Sequence, residues 1–327
     1  LEDKGCAPWV PEGGISAHCK VDQATGELLF FNYGRDWPFL HYGVVNRARE
    51  LVHYTPVPLP GIRSPHDMAF SSNYVIFNDF PLFPDSEMLA QGRYVVRYHP
   101  EMRSRFGILP RRGNGDDVRW FEADPTYVLH FLNAYEEGDE IVLDGYYQEN
   151  PVPRVGSAAA AQVAPGYQHM MAFLDQHAFR PRLHRWRFNL TTGQTREETL
   201  DPRILEFGTF NQDYAGKPYR YAYSAIPTPG WFLFSGLTKH DLQGGGSQEY
   251  LFGEGRYGSE APFAPRIHAQ DEDDGYLISF VTDVNTGRSE CVLLDAKHLA
   301  AGPVCRILLP HQICSGTHAC WVDMTQL

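Results

Sequence analysis

The sequence lacks the long apolar runs that membrane-spanning helices need, because no stretch approaches about 18 consecutive apolar residues. The first residues, Leu1–Gly5, contain neither a basic segment nor an apolar one, so they do not resemble a secretory signal peptide. The chain also begins without methionine. We therefore expect a fragment or a processed product of a longer protein.

Basic residues and paired cysteines are also scarce. The 28 Lys and Arg residues face 40 Asp and Glu residues, and the net charge of −12 excludes a nucleic-acid partner, which would need a basic face. The six cysteines include no Cys-x-x-Cys pair, so we predict free thiols in a reducing cytoplasm. Cys19 and Cys320 lie near histidines, but no set has zinc-finger spacing.

What the sequence does contain is a succession of strand signals. The hydrophobic fraction of 43% over 327 residues supports one large domain or two ordinary ones. Short runs of aromatic and β-branched residues, bounded by Gly, Pro, Asn and Asp, predict an all-β fold. The predicted strands are Leu28–Tyr33, Tyr74–Asp79, Tyr94–Tyr98, Arg119–Phe121, Glu140–Tyr147, Arg182–Asn189, Tyr219–Ser224, Gly230–Phe234, Gln248–Phe252, Tyr276–Asp283 and Ser289–Asp295.

Three segments of the form Asx-x-x-Thr-Gly each follow a predicted strand, and their glycines suit a turn with positive φ. These hairpin signals are Asp22–Gly26, Asn189–Gly193 and Asp283–Gly287. Helical signals are few: Ala123–Ala134 is the best predicted helix, and Arg154–Phe179 is expected to be partly helical or loop-like. The repeated strand–turn–strand pattern is typical of successive propeller hairpins.

Four histidines in separate short motifs carry the strongest chemical signal. If the fold brings them together, four neutral imidazoles without a carboxylate form a site for a divalent transition metal. Two of their three spacings, His18 to His66 and His130 to His318, lie near multiples of the roughly 40–50 residues of a propeller blade, although spacing by itself leaves an irregular β-sandwich equally open. The motifs are Ser16–Asp22 around His18, Ser64–Phe70 around His66, Leu129–Tyr135 around His130, and Gly316–Trp321 around His318.

Together these motifs resemble the carotenoid cleavage oxygenase family, which includes apocarotenoid oxygenases and lignostilbene dioxygenases. The resemblance extends over nearly the whole chain. It implies a seven-bladed β-propeller with iron on its axis and a small helical or loop cap, formed here by residues 1–327 as a single domain whose N-terminal blades are missing. Further matching segments are Thr25–Leu28, Ser104–Arg111, Leu205–Phe207, Ser259–Phe263 and Glu272–Leu277.

The resemblance also assigns roles around the metal. His18, His66, His130 and His318 would bind Fe(II), and the carboxylates of Glu206 and Glu260 would orient ligand histidines. For Asp67, orienting His66 and capping a turn are equally open.

Aromatic side chains near the motifs are expected to line a tunnel for a conjugated substrate, although plain core packing explains most of them as well. The stretch Phe80–Pro84 is a candidate membrane-touching or tunnel-mouth patch. The proposed tunnel residues are Phe80, Phe131, Phe207 and Trp321.

The implied function is that of an Fe(II)-dependent dioxygenase without an organic cofactor. It would cleave a C=C bond of a carotenoid, an apocarotenoid or a stilbene with O2 and give two carbonyl products, with no catalytic residue beyond the iron site. Two other classes stay open. A non-catalytic propeller would bind partners, and a zinc hydrolase would need a base for its metal-bound water, which no His-Glu-x-x-His motif supplies here.

Overall fold

The computed structural model describes residues 5–152, 175–313 and 316–322, and within them the structure is mostly β. The chain folds into two compact units. Unit 1 comprises Leu1–Asp144, Arg185–Glu198 and Ala215–Pro218; unit 2 comprises Gly145–His184, Thr199–Tyr214 and Tyr219–Leu327. Among the described residues, no helix has both the length and the apolar character needed to cross a membrane. The expectation of one domain stays a prediction.

Unit 1 contains two four-stranded antiparallel sheets and a two-stranded ribbon. The first sheet has the order β1-β2-β3-β4 and comprises β1 (Lys20–Asp22), β2 (Glu27–Tyr33), β3 (Leu40–Val45) and β4 (Leu51–Pro56). The second has the order β10-β9-β6-β5 and comprises β5 (Ala69–Phe70), β6 (Tyr74–Asp79), β9 (Ser104–Pro110) and β10 (Arg119–Ala123). The ribbon pairs β7 (Leu82–Pro84) with β8 (Val96–Tyr98).

A third four-stranded sheet has the order β11-β12-β13-β14. It comprises β11 (Phe131–Glu137), β12 (Glu140–Gln148), β13 (Pro181–Asn189) and β14 (Thr195–Thr199). The sequence-based predictions for β12 and β13 are confirmed to within a residue at either end. Within Arg154–Phe179, the segment predicted to be partly helical or loop-like, residues 154–174 lie outside the described residues, and the described end contains a short helix at Gln176–Phe179.

Unit 2 contains the remaining two sheets. One has the order β15-β16-β17-β18 and comprises β15 (Glu206–Thr209), β16 (Tyr221–Pro227), β17 (Phe234–Asp241) and β18 (Ser247–Leu251). The other has the order β19-β21-β22-β23, with β20 also paired to β21. It comprises β19 (Arg256–Tyr257), β20 (Phe263–Pro265), β21 (Gly275–Asp283), β22 (Arg288–Asp295) and β23 (Pro303–Leu308).

The three predicted Asx-x-x-Thr-Gly hairpins are confirmed and share one geometry. In the first, Gly26 at φ 72° donates its N–H to the Asp22 carbonyl at 2.7 Å, and the Asp22 carboxylate accepts the Ala24 N–H at 3.0 Å. The other two turns repeat the backbone bond, with Gly193 at φ 77° and Gly287 at φ 66°. Positive φ is accessible to glycine without steric cost, so the pattern sets these turns locally.

Each unit has its own apolar core. In unit 1, the Phe106 ring lies 5.0 Å from that of Phe188 and 5.3 Å from that of Trp186, and all three side chains are fully buried. In unit 2, Phe207 and Phe234, at 5.0 Å between ring centres, belong to a cluster that covers the buried faces of both sheets. Aromatic pairs at these separations stabilise the sheets beyond the area that they bury.

Helices are short in the described residues. The α-helices are α1 (Ser86–Ala90) and α2 (Gln176–Phe179), and the 3₁₀ turns are Gly115–Asp117, Gln212–Tyr214 and Leu299–Ala301. The predicted strand Gly230–Phe234 is wrong except for its last residue, because the chain turns there and β17 begins at Phe234.

The predicted helix at Ala123–Ala134 is also wrong. Ala123 ends β10, and β11 begins at Phe131. The backbone N–H groups of this segment find distant acceptors in place of the carbonyls four residues earlier: Thr126 donates to Ser104 Oγ at 2.9 Å, and Phe131 donates to the Asp67 carboxylate at 2.9 Å. Tertiary hydrogen bonds therefore override the local preference.

The turn at Gly115 provides a test of the packing in unit 1. A Cβ atom at this position would lie 1.5 Å from the Pro56 carbonyl oxygen, whereas a Cβ at Gly34 would have nothing within 4 Å. We expect Gly115→Ala to lower the free energy of unfolding by about 3 kcal/mol or more, since the backbone must shift to admit the methyl group. Gly34→Ala is the control and should stay near the wild type in urea unfolding. Equal stability of the two variants would contradict the packing described here.

Candidate metal centre

Three of the four predicted ligand histidines precede strands of unit 1. His18 lies two residues before β1, His66 lies in the connection between β4 and β5, and His130 directly precedes β11. Residues at the entrance to a strand have a backbone that the sheet holds in place, whereas their side chains are free to converge.

The structure brings these three imidazoles together. The ring centres of His18 and His66 are 4.5 Å apart, those of His18 and His130 are 5.1 Å apart, and those of His66 and His130 are 5.3 Å apart. One ring nitrogen from each lies within 4.8 Å of the others. The rings are tilted by 43° to 68° relative to one another, so they do not stack. Three nitrogens can therefore face a common point.

The surroundings of His18 disfavour its charged form. Burial lowers the pKa of His18 from 6.5 to about 3, and the neighbouring His130 and His66 act in the same direction, against the opposing effect of Asp67. A neutral imidazole offers a lone pair, whereas a protonated one repels a cation. Three imidazoles that lie this close together, one buried and two half-buried, fit a divalent transition ion when they are neutral. The donor set alone does not distinguish iron from zinc or cobalt.

Asp67, which follows His66, connects the segments around the three histidines. Its side chain is 1% exposed and accepts hydrogen bonds from the N–H of Met68 at 2.7 Å and from the N–H of Phe131 at 2.9 Å. The Lys20 ammonium lies 2.8 Å from the same carboxylate. The sequence left open whether Asp67 orients His66 or caps a turn; in the structure its carboxylate accepts one N–H of its own segment and one from the segment that precedes β11. Sequence reasoning missed Lys20, for which only its place two residues after His18 gave a signal.

The fourth histidine, His318, lies in unit 2 and is half-exposed. Its Nδ1 is 3.2 Å from Glu260 Oε2, and the same oxygen accepts the Ala319 N–H at 2.7 Å. The ring of Phe207 packs against that of His318 at 5.3 Å between centres. The structure thus places one predicted ligand beside the carboxylate that was predicted to orient a ligand.

The second predicted carboxylate, Glu206, is fully buried at the start of β15. Its side chain accepts the N–H of Phe207, which has a left-handed φ of 52°, and the register of β15 against β16 shifts here. Such a β-bulge aims a side chain in a direction that a regular strand would not allow. It turns Phe207 toward His318.

The proposed tunnel residues have unlike surroundings. Phe80 is buried edge-on to Phe106 at 5.5 Å and borders a cavity of about 280 Å³, and Phe131 is buried in the same aromatic core. Trp321 is half-exposed. In the stretch Phe80–Pro84, each residue is buried or half-buried. The tunnel and the membrane patch stay predictions.

One buried polar network in unit 2 has the residue types of a hydrolytic triad. His240 lies 3.0 Å from Ser224 Oγ and 3.4 Å from the Asp201 carboxylate, and Ser224 Oγ lies 2.7 Å from the Tyr146 hydroxyl. Ser224 is 1% exposed, so a substrate does not reach it, and the network satisfies buried polar groups of β12, β16 and β17 and of the segment at Asp201.

Comparison with known proteins shows which protein family this chain belongs to. Residues 1–323 match the model of the family described as RPE65, retinal pigment epithelial membrane protein. This chain belongs to the RPE65/carotenoid cleavage oxygenase family. The resemblance seen in the motifs is thereby confirmed.

Relatives and solved structures agree with this placement. A carotenoid 9,10(9',10')-cleavage dioxygenase of Crocus sativus is 35% identical over 330 residues, covering 96% of this chain and 58% of the relative. A lignostilbene dioxygenase structure from Pseudomonas brassicacearum matches with a TM-score of 0.80 and 27% identity, covering 94% of this chain and 66% of that one. Cobalt-substituted Synechocystis ACO matches with a TM-score of 0.83 and 22% identity, covering 95% and 65%.

The predicted fold class is confirmed by these structures. The carotenoid cleavage oxygenase fold is a seven-bladed β-propeller, and the chain matches it through successive antiparallel sheets of four or more strands. The chain spans 58% of the length of the Crocus relative and about two thirds of the solved structures.

The Glu260 contacts generate a prediction in unit 2. Glu260→Ala removes the acceptor of the Ala319 N–H, so hydrogen exchange at Ala319 should accelerate about tenfold or more, the equivalent of ~1.5 kcal/mol for a bond to a charged acceptor. Exchange on a peptide that contains Ala319 measures it. Glu254→Ala, at an exposed glutamate of the same unit, is the control and should leave that exchange unchanged. Unchanged exchange in Glu260→Ala would show that its carboxylate does not hold this segment.

Proposed function

We propose that this chain supplies the metal-binding histidines of a non-haem Fe(II) dioxygenase. The enzyme would cleave a C=C bond of a conjugated substrate with O2 and release two carbonyl products. The observation that carries the proposal is the convergence of the His18, His66 and His130 rings, in a chain that belongs to the RPE65/carotenoid cleavage oxygenase family.

In this proposal His18, His66, His130 and His318 hold Fe(II), and the bound iron supplies the O2 chemistry. The histidines contribute neutral nitrogen donors and leave the charge of the ion uncompensated by carboxylate ligands. Desolvation of the cluster, visible in the lowered pKa of His18, keeps its ring unprotonated and ready to bind.

The carboxylates orient the ligands. A hydrogen bond from His318 Nδ1–H to Glu260, at 3.2 Å, fixes the tautomer that leaves Nε2 with its lone pair for a metal. Glu206, buried beside the bulge at Phe207, is proposed to orient a histidine in the same way.

The substrate class is proposed from the relatives. One of them is a carotenoid cleavage dioxygenase and another a lignostilbene dioxygenase, and both kinds of substrate contain a conjugated double bond. Buried aromatic rings, of which Phe131 and Phe207 lie next to the proposed metal-site residues His130 and Glu206, suit such flat and apolar molecules. We therefore propose a carotenoid-type or stilbene-type alkene. We also propose a location in the cytoplasm, where free thiols such as those of Cys19 and Cys291 stay reduced.

Metal binding is the first test. Anaerobic loading of the wild-type chain should give about one Fe(II) per chain and a higher melting temperature, because a ligand at 100 times its Kd stabilises the folded state by about 2.7 kcal/mol. His66→Ala and His130→Ala should each lose both effects. His41→Ala is the control, since His41 is a half-buried histidine of unit 1 that stacks on Tyr54 at 5.2 Å.

The other outcomes separate the remaining classes. Preferential retention of zinc together with O2-independent hydrolysis would favour the hydrolase, and a folded chain that binds no metal would favour a propeller that binds partners. If iron binds, the loaded chain is incubated with a stilbene and with an apocarotenal. O2-dependent formation of two carbonyl products from either substrate would support the proposal.

A further inference from the structure

The three segments that carry the histidines all form hydrogen bonds with one side chain, that of Asp67. Lys20 lies two residues after His18, Met68 lies two residues after His66, and Phe131 directly follows His130. Each of these three residues donates to the Asp67 carboxylate: Lys20 Nζ at 2.9 Å, Met68 N at 2.7 Å and Phe131 N at 2.9 Å. One carboxylate thus binds the backbone beside His66 and His130 and the side chain of Lys20, which lies two residues after His18.

Only an acceptor with two oxygens and no donor satisfies this arrangement. The bonds from Met68 and Phe131 end on different carboxylate oxygens, Oδ1 and Oδ2. An amide at this position would turn an N–H group toward one of these donors or toward the Lys20 ammonium. Charge-assisted bonds of this kind are shorter and stronger than neutral ones.

Because the Asp67 carboxylate is buried, it must keep its ion pair and its hydrogen bonds, and these hold it in one position. Asp67 is 1% exposed, and its charge is compensated by Lys20, whose side chain is 24% exposed. A buried carboxylate is tolerated only when it is paired and hydrogen-bonded, so the loss of any partner would be strongly unfavourable. The main chain of Asp67 is held too, because its carbonyl accepts a bond from Asn78 Nδ2 at 2.8 Å, and Asn78 is buried in β6.

We infer that Asp67 is a positioning residue that sets the separation of His18, His66 and His130, through the backbone next to His66 and His130 and through the Lys20 side chain near His18. This inference rests on the metal site proposed above. Asp67 would hold the three histidines in place before any ion binds. Metal binding would then lose less conformational entropy, because the three segments, which are distant in sequence, are already together.

The test compares Asp67→Asn with Asp144→Asn, using Co(II) as the probe. Asp144 is also a buried aspartate of unit 1, and it forms two bonds with the Arg185 guanidinium at 2.7 and 2.8 Å. Asp67→Asn should weaken Co(II) binding about 10–100-fold, the range found when groups behind metal ligands are changed, and should alter the visible absorption of the bound ion. Asp144→Asn should lower the melting temperature but leave affinity and spectrum unchanged.

The outcomes are distinguishable. A wild-type chain that binds no Co(II) overturns the metal site and this inference with it. Wild-type affinity and spectrum in Asp67→Asn, or equal losses in both variants, overturn this inference alone.

A second measurement serves if Asp67→Asn does not fold. In the metal-free wild type, the Met68 and Phe131 amide protons should exchange slowly, because the carboxylate already holds them. Fast exchange at these two positions, against slow exchange in the adjoining strands, would overturn the inference.

Discussion

A buried carboxylate, that of Asp67, is the interaction on which the arrangement of unit 1 around the histidines depends. Its charge is taken out of water, so it must be met by donors, and the donors come from segments near residues 20, 68 and 131. Since each segment carries a histidine, satisfying one charge also brings three imidazoles into range of one another. The need to pair the buried charge of Asp67 therefore also sets the geometry of the three histidines.

The sheets make this arrangement possible. Antiparallel strands joined by tight turns place successive strand entrances at defined positions, and His18, His66 and His130 all lie at or shortly before such an entrance. The turns themselves are local: an Asx side chain binds the next N–H groups, and a glycine with positive φ closes the hairpin. The tight turns join the strands, whereas the longer connections that precede β5 and β11 contain His66 and His130.

Unit 2 shows a second way of positioning a histidine. His318 lies in a segment without regular structure, and Glu260 holds both its ring nitrogen and the neighbouring backbone N–H. The bulge at Phe207 adds an aromatic wall and requires a residue in the left-handed conformation. Where a strand does not supply the rigidity, a carboxylate and a strained residue do so.

Much of this could be predicted from the sequence, because it depends on short-range chemistry. The Asx-x-x-Thr-Gly turns, most of the strands and the family motifs around the histidines are encoded within a few residues, and the structure or the comparisons confirm them. The error at Ala123–Ala134 has the opposite origin: its N–H groups bond to Ser104 and Asp67, which no local pattern reveals. For the same reason Lys20 was missed and the role of Asp67 stayed open. The sequence determined which residues could bind a metal, whereas tertiary hydrogen bonds to a buried charge decided how three of them meet.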